Sequence, residues 1–252
     1  MAFTVELDGL RALVTGAGQG VGLAVARYLA DAGAHVLVND VVPERAEAAA
    51  EQIGALGGAA SALPFDVTDF AAVADALSHG AGADILVNNA GNAGAGGWVR
   101  PGMVADSDPA EWERFIKVNM YGPMHVTRAA LPYMIDKRWG RVITIVSDAG
   151  RIGEPGMAAY CAAKAGAAGF TRGVAREVGR YGITVNNVAL GSITTPATAG
   201  RRADDPALKR YIVRRFGEPE DAAGMVLYLA SRLSSWVSGQ TFAVNGGYSV
   251  TL

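Results

Sequence analysis

Tyr160 and Lys164 stand four residues apart in GMAAYCAAKAG, residues 156–166, and on a helix that spacing puts both on one face. A phenol held near an ammonium titrates lower, because the cation favours phenolate. Such a tyrosine works as a general acid or base well below its ordinary value of about 10. Tyr-x-x-x-Lys by itself describes many solvated helix faces. Here the surrounding residues are small and apolar (Ala158, Ala159, Ala162, Ala163), so the polar pair stands out. Ser147 closes the apolar run GRVITIVS thirteen residues upstream, at the kind of strand end where open α/β sheets bind ligands.

These residues need elements to hold them and a reactant to act with. TGAGQGVG, Thr15 to Gly22, follows the apolar run LRALVT and precedes a helical stretch at 21–32. A strand, a glycine loop and a helix start together offer backbone N–H groups and a positive helix end to a pyrophosphate. No Lys-Ser or Lys-Thr follows, so a phosphate-transfer loop is not expected. The next run, VLVND, ends on Asp40, where a ribose 2′-hydroxyl is held in dinucleotide sites. A carboxylate there repels a 2′-phosphate. Gln19, Val41 and Val42 offer that phosphate no cation, and Arg45 lies farther along, so NAD is expected over NADP.

Apolar runs at 10–15, 34–40, 62–67, 83–90, 140–147, 183–190 and 240–246 alternate with helical patterns near 21–32, 43–56, 69–78, 109–135, 157–181 and 219–230. Runs rich in Val, Ile and Leu without strict alternation read as strands buried on both faces. The alternation predicts an α/β fold: a Rossmann-type doubly wound parallel sheet of about seven strands with helices on both faces. One domain over 1–252 is expected, with the irregular stretch at about 192–215 as a substrate lid.

The ordered set TGAGQGVG, Asp66-Val67, NNAG (88–91), Asn119, Ser147, Tyr160-x-x-x-Lys164 and GSITT (191–195) resembles the short-chain dehydrogenase/reductase family in its compact form. The resemblance covers essentially the whole chain. It implies hydride transfer between a carbinol carbon and a nicotinamide, with Tyr160 moving the proton at the substrate oxygen. By the same resemblance Lys164 holds the nicotinamide ribose, Ser147 orients the substrate oxygen, and Asn119 supports a water-linked proton path behind Lys164. Gly16, Gln19, Gly20, Val21 and Gly22 form the pyrophosphate loop, with Gly18 extra. Asp66 and Val67 meet adenine, Asn89, Ala90 and Gly91 line the middle of the cofactor, and Ile193 and Thr194 meet the carboxamide. A homotetramer is expected on the same analogy. Leu190 precedes Gly191 where many relatives have proline, which predicts a less fixed turn. Asp148 replaces a common second serine and is expected either solvated or facing the substrate.

Substrate identity is thinly written. Arg201, Arg202, Lys209, Arg210, Arg214 and Arg215 crowd the lid, either as a solvated face or as a seat for a coenzyme A or acyl carrier protein group. The candidates are a 3-hydroxyacyl or 3-oxoacyl thioester, a cyclic alcohol, a steroid or a sugar alcohol. An NADPH-dependent 3-oxoacyl-carrier-protein reductase is the alternative. Trp98, Met103, Ile152 and Met157 could furnish an apolar pocket. A hydrolase lacks its G-x-S-x-G, and a non-catalytic NAD sensor would not need Ser147, Tyr160, Lys164 and Asn119 together.

The net charge of −2 over 252 residues points to neither nucleic acid nor a membrane surface. Three scattered histidines show no metal-ligand spacing. The opening MAFTVELDGL lacks a signal-peptide pattern, and the one cysteine, Cys161, suits a reducing cytosol, so a cytoplasmic enzyme is expected.

Overall fold

A computed structural model describes residues 4–78, 82–91, 102–195 and 205–250. Seven strands form one sheet in the order β3-β2-β1-β4-β5-β6-β7, all neighbours parallel. They are β1 (Arg11–Val14), β2 (His35–Val38), β3 (Ala59–Ala62), β4 (Ile85–Asn88), β5 (Gly140–Ser147), β6 (Ile183–Leu190) and β7 (Thr241–Val244). The helices between them are α1 (Gly20–Asp31), α2 (Pro43–Ala55), α3 (Phe70–Ser78), α4 (Pro109–Ile116), α5 (Gly122–Lys137), the short α6 (Ala149–Ile152), α7 (Ala158–Val178) and α8 (Pro219–Ala230). The fold is thus the doubly wound parallel sheet expected.

Successive strand residues feed opposite faces. Ala12, Val14, Val36 and Ile143 join α1, α2 and α8 in one core, while Leu13, Leu37, Leu86 and Val142 join α3, α5 and α7 in the other. Both faces are therefore dry, which is why the strands read as continuous apolar runs. The order reverses between β1 and β4, and the crevice at that switch point opens beyond the carboxyl ends of the strands.

Two expectations shift. The third strand lies at 59–62 rather than 62–67. It is an edge strand of small residues with an exposed-to-intermediate pattern, and the apolar ALPFDV that follows leaves the sheet at Pro64, which has no N–H for a ladder. The stretch 109–135 is not one helix: a π-helical turn at Lys117–Tyr121 separates α4 from α5, and π-bulges of this kind tend to mark functional sites. Helix starts follow the prolines. Pro109 sits behind the N-cap Asp108, whose side chain accepts from Ala110 N–H, and Pro219 lies inside a Glu218–Asp221 capping box.

Candidate active site

The glycine loop joins β1 to α1. Gln19 is the N-cap and its side chain makes no capping bond, nor does any acid stand in the first turn, so N–H groups at the start of α1 face the crevice. Gly16 and Gly20 take φ of 61° and 59°, a left-handed backbone that suits glycine. A Cβ on Gly16 would lie 2.9 Å from Ala90 Cα, and one on Gly22 would run into the Gly16 carbonyl oxygen and Asn89 Nδ2. Gly18 is not extra: its Cβ would sit 2.6 Å from Arg45 Cβ and 2.7 Å from Asp40 Oδ2. It is what lets Asp40 lie under the loop.

Asp40 is buried at 6% exposure. Its two oxygens accept from Gly18 N–H at 3.3 Å and Val42 N–H at 3.0 Å, while the N-cap of α2 is Val42. Asn39 beside it was missed in the sequence. Its amide ties Leu63 and Phe65 carbonyls together, and its oxygen accepts from Gly16 N–H. Thr15 was likewise read only as part of a motif. Its hydroxyl accepts from the Asn89 and Ala90 N–H groups at 3.0 and 3.1 Å, and Asn89 Nδ2 returns bonds to the Thr15 and Gly16 carbonyls. The NNAG segment is thereby locked to the glycine loop.

A cavity of about 1190 Å³ runs along this edge. Gly16, Gln19, Gly20, Val21, Gly22, Asp40, Asp66, Val67, Asn89, Ala90, Gly91, Ser147, Tyr160, Lys164 and Ile193 all line it, so it gathers most of the residues singled out in the sequence. Thr194 is exposed, its N–H bonded to the Gly217 carbonyl, and Thr195 takes its place on the wall. Asn119 sits behind the wall, fully buried in the π turn, donating to the Phe115 carbonyl at 2.9 Å. A Cβ at Gly91 would touch both Asn119 Oδ1 and Lys164 Nζ, at 3.1 and 3.2 Å.

Ser147 ends β5, and Tyr160 and Lys164 lie on the first turns of α7. Tyr160 is hydrogen-bonded to Ser147, and Phe115 meets its ring edge-on. Lys164 donates to the Ile145 carbonyl at 2.8 Å, and its Nζ is 5.8 Å from the Tyr160 ring centroid. The expected lowering of the phenol is not what the protein alone produces. Burial pushes Tyr160 up to about 12 against the Ser147 bond, and burial also pulls Lys164 down to about 8.

Around the substrate end, Asp148 is neither solvated nor turned to the cavity as a free charge. Buried at 2% exposure, it pairs with Arg151 at 2.8 Å and accepts from Asn245 and Ser249 at 2.6 and 2.7 Å. The turn after Leu190 is also firmly held: Gly191 N–H bonds the Val244 carbonyl, and Leu190 O accepts from Asp148 N–H.

Of the cations expected on a lid, Arg201 and Arg202 lie outside the described residues, as does Trp98. Arg210 pairs with Glu154 at 3.5 Å and lies over the Tyr248 ring, while the Tyr248 hydroxyl donates to Glu154 at 2.7 Å. Arg215 forks onto Asp221, and Arg214 donates to the Lys209 carbonyl. Glu154, Arg210 and Tyr248 line the cavity, a polar wall scattered too widely in sequence to be read there. Met157 also lines it, whereas Met103 and Ile152 are exposed.

Known proteins carry the same architecture. The sequence model of the short chain dehydrogenase family matches residues 11–206. The 3-oxoacyl-(acyl-carrier-protein) reductase of Thermotoga maritima is 35% identical over 96% of this chain and 99% of its own. Among solved structures, a putative gluconate dehydrogenase from Agrobacterium tumefaciens superposes with a TM-score of 0.91 at 31% identity, covering 99% of this chain and 100% of that one. A gluconate 5-dehydrogenase from Burkholderia cenocepacia, solved with NADP and tartrate, gives 0.89 at 35% identity, covering 98% of each chain.

Proposed function

The chain belongs to the short-chain dehydrogenase family and is an oxidoreductase, and on that premise we propose that it interconverts a secondary alcohol and a ketone with Tyr160 as the proton-moving group. The observation that carries this reading is Tyr160 bonded to Ser147 on the cavity wall, with Lys164 buried behind.

The crevice fits a dinucleotide: Gly16 and Gly22 leave a cradle that a Cβ would fill, and the N–H groups opening α1, uncapped by any side chain among the described residues, suit a pyrophosphate. When bound, the oxidised nicotinamide supplies the hydride acceptor and a positive charge that favours phenolate. The protein's own residues do the rest. Ser147 holds the substrate oxygen beside the phenol. Tyr160, protonated at neutral pH, gives its proton to a ketone oxygen in reduction and removes one from an alcohol in oxidation. Lys164, with Asn119 near it across Gly91, holds the ribose and re-supplies the proton.

Asp40 supports NAD as the preferred partner, since its carboxylate lines the cavity beside the glycine loop and would repel a 2′-phosphate there. Arg45 on the same wall favours a second reading, NADP, the dinucleotide present in the Burkholderia structure. Comparing kcat/KM for NADH and NADPH in the wild type and in Asp40→Ser separates the two. An unchanged ratio sinks the role given to Asp40.

For the substrate, the curated relatives support a 3-oxoacyl thioester. The wall of Glu154, Arg210 and Tyr248 favours a second reading, a small polyhydroxy acid. It also ties up a cation that a carrier phosphate would otherwise meet. The enzyme is read as a single domain over 1–252, assembling as a homotetramer. Turnover on a panel of 3-oxoacyl thioesters and keto sugar acids, repeated with Tyr160→Phe, tests the proposal. Wild-type rates retained by Tyr160→Phe would show the proton to be moved elsewhere.

A further inference from the structure

The far end of the sheet, away from the dinucleotide crevice, holds a second cavity of about 560 Å³. It opens at the amino ends of β5 and β6 and is lined by Trp139, Arg141, Thr184, Arg232 and Trp236 among others. Nothing in the hydride-transfer reaction uses these residues.

Their chemistry is unusual in three ways. First, Arg141 is buried at 2% exposure. Its Nε and Nη1 donate to the carbonyls of Ser231, Gly140 and Gly182, and among the described residues no carboxylate comes within ion-pair distance. Burial, and after it the charge of a second cation, Arg232, pulls Arg141 down to about 10. Both guanidiniums lie near one indole, 4.6 and 5.8 Å from the Trp139 centroid. Buried charges are ordinarily paired, whereas the buried Arg141 meets a like charge on Arg232, an exposed residue lining the same cavity. Second, Thr184 lines the same cavity at 6% exposure, and its hydroxyl has no hydrogen-bond partner among the described residues. Third, the Trp236 side chain at the rim is 99% exposed, a placement that leaves both its faces free.

We propose that this cavity binds a small organic oxyanion with a flat body. Its oxyanion sits in the field of Arg141 and Arg232 and takes the Thr184 hydroxyl as donor, and its ring lies against Trp236. The cavity is far larger than a single water needs, so it has room for the body as well as the charged group. Phosphate esters and carboxylates share this chemistry, and the test has one arm for each. Nucleotides are avoided as probes because they also fit the first crevice.

Thermal unfolding of the full chain, with NADH saturating, is followed against phenyl phosphate, benzoate and inorganic phosphate. At ten times its dissociation constant a bound anion raises the midpoint by about 3 °C. The expected result is a rise with phenyl phosphate or benzoate that exceeds the rise with inorganic phosphate, and that vanishes in Arg232→Asp. That variant places a carboxylate beside Arg141, so it is also expected to melt higher than the wild type without any anion, which separates lost binding from lost folding. No rise with either aryl anion, or an equal rise in Arg232→Asp, overturns the proposal. So does a fall in mass by light scattering in Arg232→Asp, which would assign the missing countercharge to a second copy of this chain. Either failure leaves the reaction at Tyr160 untouched, because dehydrogenase turnover is measured separately.

Discussion

Replacing Lys164 by methionine should stabilise the protein while abolishing its activity. Lys164 is 5% exposed, and burial holds it at about 8 rather than 10.5. A shift of that size corresponds to roughly 3 kcal/mol by which the charged side chain opposes folding at pH 7. Methionine fills a similar volume without the charge. It also leaves the Ile145 carbonyl without its 2.8 Å donor, at a cost of about 1 kcal/mol. The net gain at pH 7 is about 2 kcal/mol, or about 5 °C in the midpoint for a chain of this length. The pH dependence fixes the cause. Below pH 8 both folded and unfolded forms carry the proton, and the penalty is full. Between the folded value of about 8 and the unfolded value of 10.5, only the unfolded chain holds it, so the wild type gains stability as pH rises. The difference between variant and wild type should therefore shrink to about zero near pH 10. Calorimetric or fluorescence melts from pH 6.5 to 10, paired with turnover, give the answer. A variant that melts lower at pH 7, or a difference that does not move with pH, would refute the reasoning.

Gly22→Ala should lose dinucleotide binding, read by quenching of protein fluorescence on titration with NADH, and should melt lower, because its Cβ meets the Gly16 carbonyl and the Asn89 amide. Gly54→Ala, where a Cβ meets nothing within 4 Å and the backbone is not left-handed, serves as the control with its binding intact. Asp148→Ala removes the partner of Arg151, Asn245 and Ser249 at a buried position and should cost about 3 kcal/mol in denaturant unfolding. Asp148→Asn should recover part of that loss.

Much of this architecture was legible because its signals are local. Strands β5 and β6 and helix α8 fall where the apolar runs and Pro219 put them, since a strand covered on both faces and a proline-led helix each leave an unbroken pattern. The third strand was misplaced because its own residues are small and half exposed, while the apolar residues after it face a core from outside the sheet. The π turn at Asn119 has no breaker of its own, and its one local signal is the Gly122-Pro123 pair that opens α5 directly after it. At the site, Gly16, Gly22, Ser147, Tyr160 and Lys164 announced themselves by spacing. Gly18 did not, because its purpose is the space it leaves for Asp40, some twenty residues on. Glu154, Arg210 and Tyr248 meet only in three dimensions, and so does the Asp148 network with Asn245 and Ser249. The Tyr160 shift follows burial, which four-residue spacing does not report: burial raises the phenol against the lowering Ser147 bond, while Lys164 stands 5.8 Å from the ring centroid.

The central claim is that hydride passes directly between the cofactor ring and a carbinol carbon held at Tyr160. Reduction of an accepted ketone with nicotinamide dinucleotide deuterated at C4 tests it most directly. The account predicts one deuterium at the new carbinol C–H, with the yield of labelled product collapsing in Tyr160→Phe. Product that carries hydrogen from solvent at that carbon, with the stereospecific deuterium still on the cofactor, would contradict it.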